Sequence, residues 1–327
     1  MSNSRSTEWP QSAARSGLEH RIGIFALMAE QQSVRCRRCW NMIDAAQAGT
    51  DGTCPICGAQ ADDFLPRKER HKLFAPLSSF SHIVARLQWD ATVIDLAPDA
   101  LAWHELEPDR RQRLTTLLAG FCVAEEAVSE HLAPFTEATA DTLVAWVFFL
   151  QRRDEQRHAL LFDRVATEVL GLPGATAAER RAAAREHVTP ELLELFEVRL
   201  PAIATELAAG RASLENGVSL YHMLLEGIVF AAGQRALLED LEDGALPGVR
   251  EGVRRVDLDE RWHIGFGLRC LIDAKPPPEL INELLAQAAD AAAAWGDAVP
   301  LETSRHVLRM CARRLAIAGL TKFQAAA

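Results

Sequence analysis

From about residue 78 to the end of the chain, apolar residues recur three and four positions apart with polar residues between them. This is the period of a single buried stripe on an α-helix, and the sustained two-residue alternation of a half-buried strand is missing. The pattern predicts long helices near residues 108–135, 138–170, 190–213, 217–241, 249–273, 278–295 and 302–319. Breaks are expected at Pro173, Gly174, Pro247 and the run Pro276-Pro277-Pro278, where the helical hydrogen-bond ladder cannot continue. Antiparallel packing removes such stripes from water, so the fold class expected is all-α, a helical bundle.

The chain upstream reads differently. Residues 1–33 are polar and weakly patterned, an expected flexible arm. Residues 34–60, "VRCRRCWNMIDAAQAGTDGTCPICGAQ", contain two C-x-x-C pairs, Cys36 with Cys39 and Cys54 with Cys57, fourteen residues apart. Four thiolates at such spacing bind one tetrahedral ion, most commonly structural zinc. The stretch "CPICGA" also resembles a rubredoxin knuckle, in which iron would carry electrons. The intervening loop is short for rubredoxin, and Trp40 stands where a glycine often follows the second cysteine. A linker with Pro66 and Pro76 then leads into a main domain spanning residues 78–327.

Composition narrows the functions. A 327-residue chain that is 49% hydrophobic can bury a large core, and only 6% aromatic residues beside abundant alanine and leucine favour helix over sheet. A formal charge of -10 argues against nucleic acid as the main partner, because phosphate binding needs a basic face. No apolar run approaches the roughly 18 residues of a membrane span, and the amino terminus lacks the pattern of a signal peptide. Four of the seven cysteines are in C-x-x-C pairs, which suits a reducing cytoplasm better than a disulfide scaffold.

Two stretches interrupt the apolar helices with charge: "RDEQRHALLF" at 152–161 and "LDERWHIGFG" at 258–267. Of ten histidines, only His158 and His263 have a glutamate three positions earlier, Glu155 and Glu260. On a helix that spacing puts an oxygen and a nitrogen on one face, where both can reach one metal ion. One such motif alone reads as an exposed helix face or a satisfied core histidine. Each copy, however, follows a helix bearing an isolated acid: Glu125 or Glu126 in "FCVAEEAVSEHLAPF", and Glu226 in "LYHMLLEGIVFAAG". Burying Glu226 among Met223, Leu224, Leu225, Ile228, Val229 and Phe230 would be costly unless a cation compensates it. Lone Glu, Glu-x-x-His, lone Glu, Glu-x-x-His is the ligand order of ferritin-like dimetal carboxylate bundles. Carboxylates and imidazoles suit iron or manganese, and four carboxylates nearly neutralise two divalent ions; zinc would leave no redox role. Asp154 and Asp259, each just before a motif, are candidate orienters of the imidazoles. Cys122, Cys270 and Cys311 read as packing residues, although Cys122 is one turn before Glu125.

The stretches "AEEAVSEHLAPF", "RDEQRH", "YHMLLEG" and "DERWHIGFG", in this order, resemble the ligand-binding oxidases related to the ribonucleotide reductase small subunit. "LQWDATVIDLAPDALAW" resembles the segment before that family's first metal helix, so the likeness covers about residues 78–275. It implies a manganese–iron or di-iron cofactor, two-electron oxidation by dioxygen, a bound long-chain fatty acid or similar hydrophobic molecule and a homodimer; an electron donor, for which the cysteine module is a candidate, is a further expected partner. It selects Glu125 over Glu126 and carries metal ligation to Glu155, His158, Glu226, Glu260 and His263. It also implies an ether crosslink between Val128 and Tyr221, the one tyrosine in the chain. Ideal α-helical geometry would put Tyr221 about 140° around the axis from Glu226, so periodicity does not itself bring it to the site. The cysteine module is not part of that family's usual domain, and the alanine-rich carboxy-terminal helices do not align. Two alternatives remain. A ribonucleotide reductase small subunit needs a radical tyrosine where this chain has Phe162, and a ferritin-like ferroxidase needs a cage or a metal exit route.

Overall fold

The computed structural model describes residues 33–36, 42–44, 53–54, 64–65 and 74–321. The expected arm falls outside these residues except for Ser33. The chain divides into two compact units, Met1–Leu73 and Phe74–Ala327.

In the first unit, β1 (Ser33–Cys36) lies between β2 (Met42–Asp44) and β3 (Phe64–Leu65) in an antiparallel sheet. Val34 faces Ile43 across one ladder, and Cys36 faces Phe64 across the other. The sheet thus reaches beyond residue 60, into chain expected to be linker. The apolar pair Phe64–Leu65 supplies a short edge strand that a search for longer alternation passes over. Cys36 and Cys54, one from each C-x-x-C pair, are both buried. Cys39 and Cys57 lie outside the described residues.

The described residues of the second unit are helical. Short helices α1 (Phe80–Arg86) and α2 (Ala97–Ala102) precede the long α3 (Pro108–His131) and the one-turn α4 (Ala133–Glu137). Then come α5 (Thr142–Glu168), α6 (Ala177–Ala184), α7 (190–208), α8 (214–240), α9 (Pro247–Ala274), α10 (Pro278–Ala292) and α11 (Leu301–Ile317). Prolines open α3, α9 and α10, where a missing N–H costs nothing. Asp141 caps α5 through the Leu143 and Val144 amides, and buried Asp99 caps α9 through those of Gly248 and Val249. Lys275, in the left-handed region at φ 53°, ends α9 just before the proline run.

Four helices form the centre of this unit: α3 packs along α5, α8 along α9, and α5 also meets α9. The carboxy-terminal helices α10 and α11 cover α8, and the Trp295 indole donates to the Val229 carbonyl at 2.7 Å. Fully buried Phe121, Phe135, Phe148, Phe162, Phe230 and Phe266 fill the interior. Each such side chain contributes about 1.5–3 kcal/mol of burial. Two helices depart from α geometry: π-helical turns occupy Glu194–Arg199 in α7 and Ser219–Phe230 in α8. No helix among the described residues is long and apolar enough to cross a membrane.

Candidate metal centre

The four central helices converge on a buried polar cluster. Glu125 comes from α3, Glu155 and His158 from α5, Glu226 from α8, and Glu260 and His263 from α9. All six are at most 2% exposed, inside a core that is otherwise aliphatic and aromatic. Their donor atoms fall into two overlapping groups, Glu125, Glu155, His158 and Glu260, then Glu155, Glu226, Glu260 and His263. Within each group one atom per residue lies within 4.8 Å of the others. Glu155 and Glu260 belong to both groups, so two carboxylates are shared between the positions.

Both imidazoles turn Nδ1 inward. His158 Nδ1 is 3.2 Å from Glu155 Oε2 and 3.7 Å from Glu125 Oε2. His263 Nδ1 is 3.0 Å from Glu155 Oε1 and 3.3 Å from Glu226 Oε1. Glu155 therefore offers one oxygen to each imidazole, and Glu260 does the same at 3.7 and 3.5 Å.

The outer nitrogens meet the aspartates crosswise. His158 Nε2 is 3.1 Å from Asp259 of the other motif, and His263 Nε2 approaches Asp154 at 3.7 Å. Each aspartate also accepts from an indole, Asp259 from Trp89 at 2.7 Å and Asp154 from Trp262 at 3.2 Å. Arg157 spans both carboxylates at 2.7 and 2.9 Å, with its guanidinium 4.9 Å from the Trp89 ring. The repeated D-E-x-x-H thus interlocks two helices, Asp259 orienting the His158 imidazole while Asp154 stands opposite that of His263 without a hydrogen bond to it.

The atoms left without hydrogen-bond partners locate what the cluster lacks. They include both oxygens of Glu125 and of Glu260, Glu155 Oε2, Glu226 Oε2, and Nδ1 of both histidines. Burial pushes Glu125 up to about 8, and burial with the Glu260 charge raises Glu226 well above the usual carboxylate range. Burial would raise Glu155 too, but the His263 and His158 charges hold it well below that range. Burial opposes charge on the imidazoles as well, yet the surrounding carboxylates raise both of them far above an ordinary histidine. The carboxylates thus favour positive charge in their midst. An uncompensated buried ion costs several kcal/mol, and two divalent cations would balance four carboxylates. Donor types, burial and orphaned atoms all fit a pair of metal ions.

Other residues sort clearly. Glu126 faces away from the cluster, 4.0 Å from Arg181. The charges acting on Cys122 are those of Asp163, Glu126, Arg180 and Arg181, and burial pushes its thiol up to about 12; it belongs to that outer side of α3. Phe162 stacks on Phe121 at 4.9 Å within the apolar core. Val128 is fully buried, and Tyr221 donates to Glu155 Oε1 at 2.7 Å. The π-helical turn explains how Tyr221 arrives there. At about 4.4 residues per turn, five residues return to within about 50° of the starting direction, against about 140° in an α-helix.

Sequence reasoning assigned no role to Gln151, Arg157, Trp89 or His222. Gln151 donates to Tyr221 Oη at 3.1 Å and to Glu226 Oε1 at 2.8 Å, and its own oxygen is 3.0 Å from His222 Nε2. An amide one turn before Glu155, inside "AWVFFLQ", was the available signal. Nothing comparable marked His222, whose direction depends on the π-helical turn.

No family model matches the chain. Solved structures do. A variant R2-like ligand-binding oxidase with an aerobically reconstituted Fe/Fe cofactor superposes with a TM-score of 0.64 at 18% identity, covering 76% of this chain and 93% of that one. Another variant, with an anaerobically reconstituted Mn/Fe cofactor, gives 0.64 at 22% identity over 75% and 94%. A third, also with Mn/Fe, gives 0.62 at 20% over 76% and 93%. The helical unit therefore has the all-α, ferritin-like fold of these oxidases.

Proposed function

We propose that the protein is an oxygen-dependent dimetal oxidoreductase, holding manganese and iron or two irons on Glu125, Glu155, His158, Glu226, Glu260 and His263. One observation carries the reading: six fully buried ligand residues from four helices present unpartnered donor atoms to two overlapping positions. The solved structures of the same fold are named for Mn/Fe and Fe/Fe cofactors, which supports the choice of metal. When bound, such a pair supplies two-electron reduction of dioxygen. The protein's part is to fix the ligands, exclude water and control protons. Asp259 holds the His158 imidazole with Nδ1 inward, Asp154 faces that of His263 at 3.7 Å, and Tyr221 carries a proton directed at Glu155.

The oxidised substrate is hydrophobic and fatty-acid-like in this reading. The aromatic surroundings favour it: Phe135 lies edge-on to Tyr221 at 5.6 Å, while Phe148 and Phe266 contact His222 at 5.6 and 5.7 Å. Tyr221 and Val128 are the proposed crosslink partners. An ether bond would join Tyr221 Oη to a side-chain carbon of Val128, each losing one hydrogen, with two electrons passing to dioxygen. The protein is further read as a cytoplasmic homodimer served by an electron donor, with zinc on Cys36, Cys39, Cys54 and Cys57.

The test is anaerobic loading with ferrous iron and manganese, exposure to oxygen, and mass spectrometry of extracted ligand and of peptides. Oxygen uptake with oxidation of a bound hydrophobic molecule is expected. A Tyr221 peptide joined to a Val128 peptide, two hydrogens lighter, would establish the crosslink, and separate peptides would remove it. Absence of oxygen uptake by metal-loaded protein would overturn the oxidase reading.

A further inference from the structure

We propose that Gln151 is a positioning residue of the metal centre, its amide restricting Glu226 to one free oxygen and turning the Tyr221 hydroxyl toward Glu155. The inference rests on the dimetal reading and adds a direction to it. Gln151 is completely buried on α5, one turn before Glu155. An amide offers two N–H donors and a carbonyl acceptor, and all three are used here. Both donors leave Nε2, for Glu226 Oε1 at 2.8 Å and Tyr221 Oη at 3.1 Å, and Oε1 accepts from His222 Nε2 at 3.0 Å.

The proton directions follow. Because Tyr221 Oη accepts from Gln151, the phenol's own hydrogen goes to Glu155 Oε1, 2.7 Å away. The opposite amide orientation would place a carbonyl oxygen 2.8 Å from the carboxylate of a metal-bound Glu226, acceptor against acceptor. That fixes the amide, so His222 carries a proton on Nε2. Burial disfavours the charged imidazolium, lowering His222 well below an ordinary histidine, and a neutral ring with Nε2 protonated leaves Nδ1 bare. Helix α9 closes over the imidazole at Gly267, where a Cβ would sit 2.3 Å from that of His222. Of the two Glu226 oxygens, only Oε2 is then left without a partner. On the other side of the centre neither oxygen of Glu125 has a partner, so nothing comparable restricts that ligand.

Gln151→Met keeps length and approximate volume but removes both donors. In anaerobic Mn(II) titrations followed by electron paramagnetic resonance, one of two equivalents should bind about 10–100-fold more weakly, as for other groups that orient metal ligands, while the other changes little. Tyrosine labelled with ¹³C at Cζ gives one signal, because the chain has one tyrosine, and in Zn(II)-loaded protein that signal should move in the variant. A variant matching wild type in both measurements would overturn the role of Gln151 and leave the dimetal reading intact. Wild type taking up no Mn(II) would remove both. Should the variant not fold, ¹⁵N-histidine spectra of Zn(II)-loaded wild type still decide: the Nε2–H tautomer at His222 supports the proposal, and a proton on Nδ1 overturns it.

Discussion

Around His158, the neighbouring acid Glu125 has no hydrogen-bond partner on either oxygen. Around His263, its counterpart Glu226 is hydrogen-bonded by Gln151, and the shared Glu155 accepts from Tyr221 on that same side. The repeated D-E-x-x-H gives both halves an inward imidazole, a crossed aspartate and an indole on that aspartate. What repeats is the means of holding a metal. What differs is the hydrogen bonding to the carboxylates, concentrated where the π-helical turn of α8 brings Tyr221 and Glu226 together.

Substitutions can break this comparison in graded steps. The largest effect belongs to Glu260, which serves both positions. Glu260→Ala should weaken both metals, whereas Glu226→Ala should cost one equivalent and leave its neighbour. Metal analysis after dialysis distinguishes the cases, with circular dichroism checking the helices. Equal loss in the two variants would contradict the sharing.

Next are the aspartates. Removing a group that orients a ligating histidine typically costs about 10–100-fold in metal affinity. Asp259→Ala should do more damage than Asp154→Ala, because Asp259 is 3.1 Å from its imidazole and Asp154 is 3.7 Å from its own. Competition with a chelator ranks the two variants, and the reverse order would show that the Trp262 contact matters more than the distance.

These residues also mark what could be read from the chain. Five candidate ligands and the helices bearing them follow from α-helical periodicity and the repeated motif, because each departs from apolar surroundings at a regular spacing, whereas the choice of Glu125 over Glu126 came only from resemblance. Which carboxylates are shared is not legible in the chain, because Glu155 and Glu260 come to face both positions only when four helices meet. Tyr221 was reached through resemblance, with regular geometry pointing away from the site, because local sequence does not announce a π-helical turn. The crossing of Asp154 and Asp259 was equally hidden, since each lies closer in sequence to the histidine of its own motif.

Smaller effects sharpen the contrast. Tyr221→Phe removes the hydrogen bond donated to Glu155 and the one accepted from Gln151, so both metals should remain while stability falls by about 1–3 kcal/mol, measured by thermal unfolding of metal-free protein. Loss of a metal would make Tyr221 part of the holding machinery. The smallest change is expected from Cys122→Ala, on the outer side of α3, which should leave the metal content untouched. Altered stoichiometry there would bring Cys122 back to the site.

The most direct measurement is anaerobic titration of the full-length, metal-free chain with Mn(II), followed by electron paramagnetic resonance. Two ions per chain with an exchange-coupled signal are expected, because Glu155 and Glu260 each face both imidazoles. A single ion, or two with uncoupled signals, would contradict a shared dimetal centre.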